Sequence, residues 1–243
     1  MAAMRRCLIA LPLAMLLFAG AYGCGNPYGK TESAWREEVN ASLAALEDSA
    51  PYSYDIHIET WVGVSGQSVY GDEKGVGAYV DGDFSVSILR TYPAGEENLV
   101  YTSLRGISYL REGETWRPID AQEVPSPLYD PELFTVLASA YGSISLEGEE
   151  ELSDVLCRRY LLQLGREKAQ EALPERAWSY FSPLDFELNC RIWVADASTP
   201  PLSLRLEVIG FDREERLQRY RVVATLNPHD FRSEEIQLME PGV

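Results

Sequence analysis

Apolar residues fall at two distinct periods along this chain. From Thr31 to about Ser49 they recur at helical spacing: Trp35, Val39, Ser42/Leu43 and Leu46 make one stripe, and Arg36, Glu37, Glu38, Glu47 and Asp48 lie on the other face. Thr31 can cap this helix, Glu32 suits its first turn, and Pro51 follows its end. From Tyr54 the period drops to two. Tyr54, Ile56, Ile58, Val62 and Val64 alternate with Asp55, His57, Glu59 and Trp61, which predicts a half-buried strand. Val76, Ala78 and Val80 predict a second strand, and Asp81-Gly82 a tight hairpin turn. Phe84, Val86 and Ile88, continued by Arg90 and Tyr92, predict a third. Leu99, Tyr101 and Ser103 predict a fourth, and Ile107, Tyr109 and Arg111 a fifth. Short strands joined by tight turns make an antiparallel meander.

Pro125-Ser-Pro127 interrupts the alternation. A helix follows, with Asp130 as N-cap, Pro131 in the first turn and Gly142 past the end; Leu133, Phe134, Leu137, Ala138 and Tyr141 form its apolar stripe. Strands resume at Ser143–Glu147 and Val155–Leu164. A helical patch from Glu167 to Phe181 should be split by Pro174, which lacks a donor and clashes one turn back. Phe186–Val194, Leu202–Phe211 and Leu217–Leu226 are three long closing strands, and Glu235–Leu238 a last extended piece. The expectation is one α+β domain over residues 31–243, with nine to eleven strands and about three helices.

The first residues follow neither period. Arg5-Arg6 precede an apolar run from Cys7 to about Ala21, which is interrupted by Pro12 and short for a stable membrane span. It reads as a secretory signal; a retained N-terminal anchor is the alternative. Ala21-Tyr22-Gly23-Cys24 resembles the bacterial lipobox. That resemblance implies removal of residues 1–23 and a diacylglyceryl group on Cys24, with acyl chains such as palmitate holding the protein to a bilayer. Residues 24–30, rich in Gly, Asn and Pro, would be a tether. The expected location is extracytoplasmic, on a cell-envelope membrane.

Charge narrows the function. The chain has 38 acidic and 21 basic residues, a net charge of −17. This excludes a phosphate-reading footprint and hence nucleic acid as a partner. Two His and four Cys make a zinc site an unlikely use of the sequence, and no metal or cofactor is expected. Gly63-Val64-Ser65-Gly66 fails the nucleophile-elbow pattern by one position, and neither a P-loop nor a His-Glu-x-x-His occurs. His57 and His229 read as solvated side chains, and the acid clusters as solvated turns; no catalytic residue is selected. Cys157 and Cys190 are either free buried thiols or a disulfide across neighbouring strands. A bridge would close a loop of about 33 residues, worth about 3–4 kcal/mol in the chain-entropy model, but the alternation puts the two on different faces.

The order of elements resembles the LolA/LolB carriers and the LppX/LprG-type lipoproteins. The local match is Arg191-Ile-Trp193-Val-Ala-Asp196 followed by Pro200-Pro201 and Arg205, similar to a Trp-x-Asp…Pro-x-Arg strand-turn-strand; Leu226-Asn227-Pro228…Ile236…Pro241 is similar to the closing segment. The resemblance implies a half-open antiparallel β-barrel with helices covering its concave face, a cavity for acyl chains, and no catalysis. The expected wall is Ile56, Ile58, Val62, Val80, Phe84, Val86, Ile88, Leu99, Tyr101, Ile107, Tyr109, Tyr160, Leu162, Ile192, Val194, Leu204 and Leu206, with Leu133, Phe134 and Leu137 as lid. Taken singly, each reads as ordinary core; the list carries weight only as a set. A 16-carbon chain gains up to ~12 kcal/mol on burial, at ~0.8 per CH₂ and before ordering costs. Two other readings compete: a sensing or protein-interaction module on the same fold, like RseB-type regulators, and an extracytoplasmic hydrolase.

Overall fold

The computed structural model describes residues 31–64, 67–181, 185–211 and 218–241. The leader, Cys24 and the tether lie outside them. The residues from Glu32 onward make one unit.

Its frame is an open, antiparallel sheet of eleven strands in the order β6-β5-β4-β3-β2-β1-β11-β10-β9-β8-β7. The order resolves into two meanders. The first is β1 (Tyr52–Val64), β2 (Gln67–Val80), β3 (Asp83–Tyr92), β4 (Gly95–Leu104), β5 (Ile107–Glu112) and β6 (Thr115–Ile119). The second is β7 (Ser143–Leu152), β8 (Val155–Leu164), β9 (Asp185–Val194), β10 (Ser203–Phe211) and β11 (Gln218–His229). Pairing of β1 with β11, the first and last strands, joins the two; Ile56 faces Leu226 and Ile58 faces Ala224. The Asp81-Gly82 turn has positive φ at both residues, as its sequence requires.

This topology dictates where the helices go. The chain leaves the sheet at one edge, β6, and re-enters at the other, β7, so the connection must cross the concave mouth. That connection carries a 3₁₀ turn (Pro127–Tyr129) and α2 (Pro131–Ser139), capped by Asp130, whose carboxylate accepts from the Glu132 amide at 2.9 Å. α2 ends before Tyr141 and Gly142, so Tyr141 is buried from the loop and not from the helix. α1 (Glu32–Glu47) buries Val39, Leu43 and Leu46 on the same side. The Glu167–Phe181 patch is two helices, α3 (Arg166–Ala172) and α4 (Glu175–Phe181), divided at Pro174 as expected. The structure is thus a half-open antiparallel barrel with helices on its concave face. Residues 236–241 form no strand; the main chain of Met239 is instead held to the convex face by the Ser85 and Thr102 hydroxyls, at 3.0 and 2.7 Å.

The resemblance motif has a local explanation. Asp196 organises the β9–β10 turn: its carboxylate accepts from the Ser198 amide and hydroxyl at 2.8 and 2.6 Å. Trp193 lies on the convex face and donates to Glu150 at 2.9 Å. There it joins a ladder of charges across the second meander, in which Glu147 meets Arg159 and Arg191, Arg191 meets Glu207, and Glu207 meets Arg221. The Arg221 guanidinium ends the ladder 5.0 Å over the Trp61 ring.

Candidate functional site: the concave wall and its lid

The register settles which side chains share the concave face. Ile56, Ile58, Phe84, Val86, Ile88, Leu99, Tyr101, Tyr160, Leu162, Ile192, Val194, Leu204 and Leu206 all lie there and are buried. Leu133, Phe134 and Leu137 of α2 belong to the same packed cluster. Val62 shares the face and is half-buried at the hairpin end of β1.

Three expected wall residues face the other way. Val80, with Ala78 and Val76, points to the convex side of β2, because the concave positions are Tyr79, Gly77, Gly75 and Glu73. A Cβ on Gly77 would come within 2.3 Å of Tyr54 Cζ and 2.7 Å of the Ser85 carbonyl oxygen, so the missing side chain makes room for the Tyr54 ring. Ile107 and Tyr109 are likewise convex. Leu110 stands opposite Tyr101, and Ser108 hydrogen-bonds the Tyr101 hydroxyl at 2.9 Å, so those two are the inward residues of β5. Ile107 is 50% exposed, and Tyr109 pairs with Thr102 on the convex side. The apolar-inward rule failed on both strands because a glycine row and a serine occupy the inside.

The cysteines do not pair. Cys190 is concave and Cys157 convex, and both are free and buried. Leu162, not Cys157, stands opposite Cys190, and five residues of strand separate the two, about 16 Å. Burial pushes the Cys190 thiol up to about 12. His57 bonds Asp72 at 2.5 Å and His229 bonds Asp230 at 2.8 Å, both on the convex side.

The concave face also holds a polar cluster that the sequence reading did not select. Glu73 of β2 and Arg90 of β3 stand opposite each other, with side chains 11% and 13% exposed and Arg90 Nε 3.4 Å from the Glu73 carboxylate. Tyr129, fully buried in the 3₁₀ turn before α2, places its hydroxyl between them. That hydroxyl accepts from Arg90 Nε and Nη2 at 2.9 and 2.6 Å and donates to Glu73. Tyr92 donates to the other Glu73 oxygen at 2.8 Å, and the Tyr54 hydroxyl donates to the Tyr129 carbonyl at 3.2 Å. Burial and then the charge of Glu73 raise the Tyr129 pKa far above the ordinary phenol range, which keeps it a donor. Burial and the bond to Glu73 push Tyr92 up to about 12. One signal for this cluster was in the sequence: Arg90 continues the inward parity of Phe84, Val86 and Ile88.

Beside the cluster is a cavity of about 250 Å³. Phe84, Tyr101 and Ser103 form its sheet side, Leu133 and Val136 its α2 side, and Pro174 and Ala177 its far wall. Ser126, Pro127 and Asp130 also line it. The segment from Ser126 to Asp130 therefore divides the cavity from the Glu73–Arg90 pair, with Tyr129 facing the pair. Most of the concave volume is filled by the protein's own side chains, Tyr52, Tyr54, Tyr101, Phe134 and Leu137 among the largest.

No family model and no curated protein matches this chain. Solved structures do. The chain is similar to LprF from Mycobacterium bovis at 8% identity and a TM-score of 0.51, over 87% of this chain and 98% of that one. It is similar to the lipoprotein LppX from Mycobacterium tuberculosis at 11% identity and a TM-score of 0.50, over 86% and 100%. At such identities the likeness is one of fold, and the fold is the LolA/LppX type that the motif order suggested.

Proposed function

We propose that the protein is a lipid-anchored, extracytoplasmic carrier that takes an acyl chain of a lipid or lipoprotein against its concave wall and performs no chemistry on it. The supporting observation is the cavity under α2, walled by Phe84, Tyr101, Leu133 and Val136 and continuous with the apolar face of the sheet. At about 250 Å³ it is smaller than the ~300–1,000 Å³ usual for a ligand pocket. The conformation described is then the closed one. Loading requires the connection across the mouth to move outward, and α2 can leave as a unit because it is tied to the sheet mainly by apolar contacts and the Tyr129 cluster. The anchor would be Cys24. Among the described residues no helix is long and apolar enough to cross a membrane.

The test is native mass spectrometry of the full-length protein after gentle extraction from a bacterial membrane. Acyl-bearing adducts that disappear on delipidation are expected. Protein free of adducts, together with no uptake of added palmitoyl lipids, would refute the carrier reading. Labelled palmitate should enter the wild-type chain and not Cys24→Ser. A second reading, a sensing module that binds a protein, is favoured by the densely filled interior; it predicts a protein partner and no adduct.

A further inference from the structure

The Tyr129 hydroxyl occupies an unusual position for a lid residue. It joins the 126–130 segment to two charged side chains of the concave wall, and it serves both charges at once: it accepts two N–H bonds from Arg90 and donates one O–H to Glu73. When the segment moves outward to admit a chain into the adjoining cavity, Tyr129 moves with it. Arg90 and Glu73 then face the space the ring has left.

Whatever enters must answer both. A hydrocarbon end offers neither of them a bond, and a simple ester end can accept from Arg90 but offers Glu73 nothing. A carboxylate or sulfate end accepts from Arg90 and meets the negative charge of Glu73. Only a group that accepts and donates through one oxygen reproduces the bonds of the phenol, and an alcohol does so. Sites that hold a substrate hydroxyl discriminate strongly against analogues lacking it, because the buried partners are left unpaired.

We propose that Tyr129 is an internal surrogate for a ligand hydroxyl, and that Glu73 and Arg90 make the open cavity, on the acyl-chain reading above, selective for acyl lipids bearing a free hydroxyl near the carbonyl end. Monoacyl- and diacylglycerols, hydroxyacyl chains and glycolipids share that chemistry. Tyr92 and Glu97, which reach Glu73 and Arg90 from β3 and β4, would stay with the wall and hold the pair in place.

Two probes of equal chain length test this: 1-monopalmitoylglycerol and methyl palmitate, titrated against the delipidated full-length protein and followed by native mass spectrometry. The glycerol ester should bind at least about tenfold tighter. The double variant Glu73→Leu/Arg90→Leu, which leaves neither charge unpaired, should bind both alike, because loading no longer breaks bonds that only a hydroxyl-bearing lipid replaces. Equal binding by the wild type, or a preference that survives in the double variant, overturns the surrogate role and leaves the carrier reading standing. Binding of neither probe refutes the carrier reading on which it rests. The wild-type comparison stands whether or not the variant folds.

Discussion

The two meanders distribute their polar groups in opposite ways. In β9–β11 the concave rows are nearly all aliphatic: Leu188, Ile192 and Val194, then Leu204, Leu206 and Val208, then Val222, Ala224 and Leu226, each no more than 2% exposed. Most charges of that half stand outside, in the ladder from Glu147 to Arg221, but Arg158 of β8 lies on the concave side opposite Val194 and pairs with the buried Glu38 of α1. In β2–β5 the concave rows mix Ile88, Leu99 and Tyr101 with Gly75, Gly77, Ser108 and the Glu73–Arg90 pair, and it is here that the cavity lies. On the carrier reading, the aliphatic half would hold the fold together and the half with the cavity would be opened. A filled aliphatic half needs no partner beyond its own side chains. A half with glycine-made space and a bridged ion pair has groups that something else can replace.

The largest effect should come from breaking that pair. Glu73→Ala leaves the buried Arg90 guanidinium with the Tyr129 phenol and only the exposed Glu97 carboxylate at 3.7 Å, and a loss of about 4 kcal/mol in urea unfolding is expected, inside the usual range for an interrupted buried pair. The contrast sharpens with Glu73→Leu, Arg90→Leu and Tyr129→Phe combined, which removes both charges and the phenol between them. Most of the loss should then return, since apolar replacements of a whole buried cluster are often neutral. A triple variant no more stable than Glu73→Ala would show that the pair is a structural necessity and not a replaceable contact.

The aliphatic half should behave otherwise. Leu206→Ala, at a residue 1% exposed, should cost about 3 kcal/mol through lost transfer energy and the cavity left behind. It should leave the preference between the two lipid probes unchanged. Altered probe selectivity in that variant would erase the distinction between the halves.

How much of this was legible in the sequence divides along the same line. In the second meander the alternation of Leu188, Cys190, Ile192 and Val194, and of Leu204 and Leu206, gave the face correctly, because water on one side and packing on the other leave a period of two with few exceptions. The split at Pro174 and the cap at Asp130 were also readable, since both are local backbone chemistry. In the first meander the same rule misplaced Val80, Ile107 and Tyr109. Gly75 and Gly77 carry no hydrophobic signal, yet they face inward so that Tyr54 and Ile88 can fill the space above them. Tyr129 lies between Pro125-Ser-Pro127 and the Asp130 cap, where the sequence shows no period. Its partner Glu73 is 56 residues away, and no local pattern joins a loop tyrosine to an acid in a glycine-rich strand.

Gly77→Ala tests that explanation directly. The added methyl would meet the Tyr54 ring and the Ser85 carbonyl oxygen well inside contact distance. A loss of about 2 kcal/mol from overpacking is expected in thermal or urea unfolding. Because the Tyr54 hydroxyl donates to the Tyr129 carbonyl, displacement of the ring should also speed amide exchange in the 126–130 segment. Tyr54→Leu in the same chain should relieve the clash and recover part of the stability. Without that recovery, Gly77 would serve something other than ring packing.

The smallest effect comes from the convex ladder, and its sign follows from the carboxylate at its centre. Partial burial alone would raise the Glu207 pKa, but the guanidinium groups of Arg221 and Arg191 outweigh it and hold the carboxyl below its ordinary value. A group held low in the folded state binds its proton more readily when unfolded. Its contribution is therefore fully present above the unfolded value, about 4.3, and is lost as pH falls through the folded one. Glu207→Gln should cost about 1 kcal/mol at pH 7 and flatten the fall of unfolding free energy with acid below about pH 4.3. The effect should shrink little in salt, because the carboxylate is 13% exposed and is bonded to Arg221 at 2.6 Å, unlike a solvated surface pair. A variant with an unchanged acid limb would mean that the ladder is decoration on a sheet already held by its concave side. A flattened limb with unaltered lipid selectivity would place the convex ladder in the service of the fold, and leave the Glu73–Arg90 pair on the inner wall as the charges that set selectivity.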